Sequence, residues 1–289
     1  MNSITRKRVR ISDMLMYGFI YISAAFSVFL IIGIILYVFS KGISQINWEF
    51  LTTTTSILKG TVGIAANILN TIYIIVLTML LATPIGVGAA IYLNEYAKPG
   101  RLVKIIELAT ETLAGIPSII FGMFGMMFFG TTLGLKYSIL TGTLTLALMV
   151  LPLITRNTQE ALKTVPNSYR HGAVGLGAGK WYTIRTILLP SAMPGIITGV
   201  ILAIGRIVGE SAALLYTAGS SNLLPATAQA YLNKIFQPGG TLTIQLYLSA
   251  QDGEFDVAFG IALVLLGVVL AINMLTKFVV KKFDVNNLK

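Results

Sequence analysis

Six long apolar stretches, at about residues 14–39, 67–93, 112–130, 138–154, 193–217 and 257–280, constrain this chain more than any other feature. Each comes near the roughly 20 residues that an α-helix needs to cross a hydrocarbon core of about 30 Å. In such a solvent every backbone polar group must find its partner inside the segment, which long helices achieve. The expected fold class is therefore all-α integral membrane, with six transmembrane helices. The third and fourth stretches are short and broken by Gly and Pro. Hydrophobic residues make up 55% of the 289 and charged residues 11%, too apolar a balance for a soluble domain.

Most of the 21 Lys and Arg residues lie between the apolar runs. With the N-terminus inside and six spans, both termini are cytoplasmic, and 16 basic residues then fall on the inside against four outside: Lys41, Lys59, Lys136 and Lys234. Such a bias sets orientation in a bilayer. It also accounts for the net charge of +10 without nucleic acid, since the basic residues neither cluster on one face nor interleave with aromatics. The first run follows the basic MNSITRKRVRISD but is about twice the length of a signal-peptide core and ends without a small-x-small cleavage site, so it reads as a retained span. One membrane domain is expected: a basic N-terminus (1–13), a first span with its outer loop (14–63), a core of five spans (64–280) and a tail (281–289). Two connections are long, the inner Thr155 to Leu189 and the outer Ala218 to Asp256, and long loops in compact proteins tend to carry function.

Little in the chain suggests catalysis. It has no cysteine and one histidine, His171, with no G-x-S-x-G for that histidine to serve. Asp252, Glu254 and Asp256 read as a solvated turn, because the remainder of a calcium loop is missing. GLGAGKW, Gly175 to Trp181, imitates a phosphate-binding loop, but that motif needs Gly where Val174 stands and Ser or Thr where Trp181 stands. The chain is expected to bind no cofactor, so any ATP and magnesium belong to partner subunits.

HGAVGLGAGKWYTIRTILLP, His171 to Pro190, is more informative. Gly177 stands four residues after Ala173, nine residues follow, and then come Ile187, one residue, Leu189 and Pro190. This resembles the cytoplasmic loop signature of binding-protein-dependent ABC importer permeases: E-A-A, three residues, G, nine residues, I, one residue, L-P. The resemblance implies a type I (MetI-like) importer permease fold and a coupling loop, 155–190, that docks on two ABC ATPase subunits. It implies a short helix, a turn at Gly177 where φ can be positive, and a second helix leading to Pro190. The family's glutamate and the residue after it are His171 and Gly172 here.

PIGVGAAIYLNEYA (Pro84 to Ala97), ETLAGIPSIIFGMFG (Glu111 to Gly125), AIGRIVGESAALLYTAG (Ala203 to Gly219) and TLTIQLYLSAQ (Thr241 to Gln251) together resemble phosphate importer permeases of the PstA type. That resemblance implies phosphate as substrate, an extracytoplasmic phosphate-binding protein, and a second, PstC-type permease completing a heterodimer. Within it, Arg206, Glu210 and Ser211 are the candidate translocation residues. A charge at the centre of the fifth run would cost about 2.5–3.5 kcal/mol on insertion scales, and arginine's fork of donors suits phosphate oxygens. Glu210, one helical turn on, would share a face with Arg206 and neutralise it at rest. Another oxyanion such as sulfate or molybdate, or an ion-coupled secondary transporter, are the competing readings. Two small-residue stripes, Gly195–Gly199–Ala203 and Gly205–Gly209–Ala213, allow close helix approach within the chain or with another permease.

Overall fold

The computed structural model describes residues 11–56, 61–98 and 100–283, so the basic stretch 1–10, Lys59 and residues 284–289 lie outside the described residues. Helices dominate. α1 (Ile11–Gly42) is followed by the short α2 (Trp48–Thr52) and by a small antiparallel ribbon, β1 (Thr54–Ser56) and β2 (Thr61–Ile64), paired Thr54 to Ile64 and Ser56 to Thr61. Among the described residues this ribbon is the one departure from an all-helical expectation. β2 runs straight into α3 (Ala65–Ile91), whose C-terminal end closes with a wide, π-type turn at Tyr92–Tyr96.

The third span differs most from expectation. α4 (Arg101–Ala114) and α5 (Ser118–Gly125, extended by a π-type turn through Thr132) meet at a bend of 103°. Gly115 and Pro117 explain the break: Pro117 adopts φ −58° and ψ 140° and precedes the first turn of α5, where the ring's missing N–H costs nothing. α4 buries no residue. α6 (Ile139–Lys163) begins at Ser138, whose hydroxyl accepts from the Thr141 amide, and extends nine residues beyond the expected 154.

α7 (Asn167–Gly175) and α8 (Lys180–Thr183) form the long connection expected on the inner side, and a π-type turn at Ile184–Leu188 joins α8 to α9 (Leu189–Val208) without a break. Pro190, expected where a helix enters the membrane, therefore lies in the first turn of α9, inside a continuous helical run from Lys180 to Val208. After Gly209 the chain restarts as α10 (Ala212–Thr217). The connection expected on the outer side holds α11 (Ala228–Asn233) and α12 (Leu242–Gln251), and α13 (Phe255–Phe283) follows. Among the described residues five helical runs are long and apolar enough to cross a membrane, and the number is six if the bent pair α4–α5 counts as one span.

The main core lies among α3, α5, α6, α9 and α10, around Ile74, Phe121, Leu146, Ile154, Ala203 and Leu214. The α6–α9 seam is close because α9 presents glycine to it: a Cβ on Gly195 would come within 2.6 Å of the Ala161 methyl, and one on Gly199 within 2.6 Å of the Asn157 Cβ. The first small-residue stripe is thus spent inside the chain. Gly205 is exposed with open space around it, so the second stripe leaves this chain's core at that point. α1 stands apart, touching α13 where the Tyr37 and Phe259 rings meet edge to face at 5.5 Å.

Candidate coupling and translocation sites

The loop between α6 and α9, the inner loop of the expected topology, folds as a helix, a left-handed turn and a second helix. Gly177 has φ +79°, and no atom lies within 4 Å of where its Cβ would be, so backbone conformation alone demands glycine there. The Ala178 amide donates to the Ala173 carbonyl and the Gly177 amide to that of Val174, both at 2.9 Å. This pair of bonds is the Schellman arrangement, which satisfies carbonyls that the end of α7 would otherwise leave unpaired. The tip is apolar and open: Leu176 is 91% exposed and Val174 66%. Beside it a shallow hollow of about 670 Å³ is lined by Ala173, Leu176, Gly177, Tyr182 and Ile187 among others. Exposed apolar residues around a concave surface are the usual sign of a protein contact.

The other residues singled out in this loop divide between surface and body. His171 and Gly172 are exposed on α7, and Ala173 is buried. Ile187, Leu189 and Pro190 are half-buried where the second helix joins the body.

Two further residues, not singled out by sequence reasoning, tie this loop to the spans. Arg170 on α7 donates to both oxygens of Glu95, at 2.7 Å from Nη2 and 3.4 Å from Nε, and also to the carbonyls of Leu162 and Val165 and to Asn167 Oδ1. The side chains of Arg170 and Glu95 are 20% and 9% exposed. The Lys180 ammonium lies 4.8 Å from the centre of the Tyr96 ring, within cation–π range. By contrast, the Arg156–Glu111 pair at 3.5 Å is 63% and 61% exposed, a surface contact of little energetic consequence.

The candidate translocation residues lie where α9 ends. Arg206 is in the last turn of α9, at the end remote from the inner loop, and not at the centre of a continuous fifth span. The physical cause is the sequence that follows. Gly209 is a poor helix former, and the Glu210 carboxylate accepts the Ala213 amide at 3.0 Å, a capping contact in the first turn of α10 made from the residue before the N-cap, Ser211. Among the described residues neither Arg206 nor Glu210 takes part in an ion pair, which replaces the expected resting pair with a helix break. The Glu210 carbonyl accepts from the Thr243 hydroxyl at 2.9 Å, so the outer connection folds back onto the break. Ser211 lines a cavity of about 170 Å³ with Ile119, Ala212, Leu215, Tyr216, Ile244 and Tyr247; Arg206 and Glu210 do not line it. Among the described residues no group of three His, Asp or Glu side chains could hold a metal ion.

A bundle of five or six apolar helices of this kind is paralleled in known proteins. The profile of the binding-protein-dependent transport system inner membrane component family matches residues 82–285. The chain belongs to this family. It is a multi-pass membrane protein and an ABC importer permease subunit, a class in which ATP hydrolysis resides in separate subunits. The probable ABC transporter permease protein YqgI of Bacillus subtilis is 36% identical over 260 residues, 88% of each chain. The phosphate transport system permease protein PstA of Haemophilus influenzae is 35% identical over 210 residues, 73% of this chain and 74% of that one. Among solved structures, a bacterial alginate ABC transporter in complex with its alginate-bound periplasmic protein aligns over 95% of this chain and 96% of its own, with a TM-score of 0.68 at 15% identity. That likeness confirms the importer-permease fold.

Proposed function

We propose that this permease is the PstA-type subunit of an ATP-driven importer of inorganic phosphate. The observation that carries the substrate is the 35% identity to a phosphate permease across three-quarters of both chains. Phosphate would arrive from an extracytoplasmic binding protein and pass between this chain and a second, PstC-type permease. Gly205, exposed with open space around it, gives that second permease a face on which to pack closely. Two ATPase subunits, carrying ATP and magnesium, would dock on the apolar tip at Leu176 and the turn at Gly177. Both termini would be cytoplasmic, with the loop 155–190 inside and the segments 1–13, 14–63, 64–280 and 281–289 divided as the apolar runs suggest.

In this reading Arg206 supplies charged donors to the anion near the outer end of α9, and Ser211 lines the small cavity beyond the break. Glu210 shapes that site through the backbone, by starting α10. The test is reconstitution of the purified four-component complex in liposomes with labelled phosphate or sulfate outside and ATP within. ATP-dependent phosphate uptake is expected. Sulfate or molybdate uptake without phosphate uptake refutes the substrate, and transport by this chain alone, insensitive to ATP depletion, refutes the class.

A further inference from the structure

Both helices of the inner loop are anchored on adjacent residues of one span, Glu95 and Tyr96 at the inner end of α3. Arg170 reaches Glu95 from α7, and Lys180 reaches Tyr96 from α8. The chain itself connects the loop to α6 and to α9 but not to α3, from which Arg170 is 75 residues distant. α7 buries only one side chain, Ala173, so its hold on the body is mainly polar. The guanidinium gathers the Leu162 and Val165 carbonyls at the end of α6, Asn167 at the start of α7 and both Glu95 oxygens, and with 9% exposure the carboxylate is shielded from water. An apolar contact resists compression but separates under tension. A fork of directional bonds to both carboxylate oxygens transmits in either direction and resists rotation, as a cycle that must reset requires.

We propose that the Arg170–Glu95 pair is the strut through which movement of α7 reaches the membrane core, with Lys180 on Tyr96 as a second stay. Arg170, Glu95, Lys180 and Tyr96 are positioning residues for transport. α3 passes the movement on, since it packs along α6 so closely that a Cβ on Gly86 would lie 2.8 Å from Ile154. The inference rests on the reading of the loop 155–190 as the ATPase dock.

The experiment uses the whole complex in liposomes, measuring ATP hydrolysis and uptake of labelled inorganic phosphate together, with thermal unfolding as a control on assembly. In Glu95→Gln and Arg170→Lys, uptake per ATP should fall at least tenfold while basal hydrolysis stays within about twofold of wild type. The chain has no cysteine, so Glu95→Cys/Arg170→Cys introduces a unique pair, and a short bis-maleimide bridge across it should restore at least half of the lost coupling. If the variants of this half-buried pair fail to assemble, Lys180→Met and Tyr96→Leu, at exposed positions, carry the test with an expected loss of about threefold. Hydrolysis and uptake falling in parallel, unchanged uptake per ATP, or a bridge without effect overturns the strut. Wild-type complex that hydrolyses ATP but takes up no phosphate refutes the substrate reading alone. The strut is then read on stimulation of hydrolysis by the binding protein, which these variants should abolish.

Discussion

Substitution at Gly177 separates a conformational demand from a steric one. A Cβ there meets nothing within 4 Å, so no neighbour has to yield, and the whole cost comes from φ +79°. For an L-residue the left-handed region costs about 1–2 kcal/mol, more for a β-branched side chain and less for asparagine. The turn is held by two backbone hydrogen bonds, each contributing about 1 kcal/mol net. Alanine thus cancels about half or more of what stabilises the turn, and valine most of it. One to two kcal/mol corresponds to a roughly 5–30-fold change in the population of the formed turn. In reconstituted complex, uptake per ATP should fall in the order Asn, Ala, Val, with Val near the upper end of that range and hydrolysis persisting. Gly172→Ala offers the control, because its Cβ also meets nothing but its backbone is helical, where alanine favours helix by about 1 kcal/mol. If all three Gly177 variants behave alike, or Gly172→Ala is as damaging as Gly177→Ala, the conformational argument fails.

Arg206→Ala should reduce phosphate uptake at least a hundredfold without loss of complex assembly, measured by filter uptake and size-exclusion chromatography; near wild-type uptake removes Arg206 from the path. Gly199→Leu should destabilise the chain by about 1–3 kcal/mol through overpacking against Asn157, seen as a lower unfolding temperature, whereas Gly205→Leu should leave the chain folded but weaken assembly with the second permease. Lys234, buried in the outer connection, donates to the Leu223 and Pro238 carbonyls, and desolvation by burial lowers its pKa below the ordinary 10.5. The unfolded chain then binds the extra proton between the folded value and 10.5, so unfolding of the outer connection should become harder as pH rises through that window, a dependence that Lys234→Met removes in hydrogen-exchange measurements.

The parts of this fold legible in the sequence are those dictated by solvent. α1 and α13 are long because a bilayer leaves no alternative to a satisfied helix, and their apolar runs predict them within a few residues. Gly177 was readable because its backbone state favours one residue type. α4 was hidden because Arg101, Lys104, Glu107 and Glu111 lower its hydropathy below that of a span, although their spacing is helical. The strut was hidden for a different reason: Glu95 and Arg170 are far apart in sequence, and each reads locally as an ordinary charge near a span end. A carboxylate at the inner end of an apolar run, with a basic loop elsewhere on the same side, was the available signal.

The break after Val208 was illegible because Gly209, Glu210 and Ser211 barely lower the hydropathy of a 25-residue window. It also changes what Glu210 should do. A counter-ion to Arg206 needs its charge, so Glu210→Gln would abolish transport as thoroughly as Glu210→Ala. A cap needs only an acceptor: glutamine keeps a carbonyl oxygen for the Ala213 amide, while alanine leaves that amide unpaired at a cost of about 0.5–2 kcal/mol. The structure favours the second case, so Glu210→Gln should retain uptake within about threefold and Glu210→Ala should lose tenfold or more, with α10 showing faster amide exchange only in the alanine variant. Equal and severe loss in both would return the carboxylate to Arg206 as its charge partner during the transport cycle and would limit the capping contact to the resting chain.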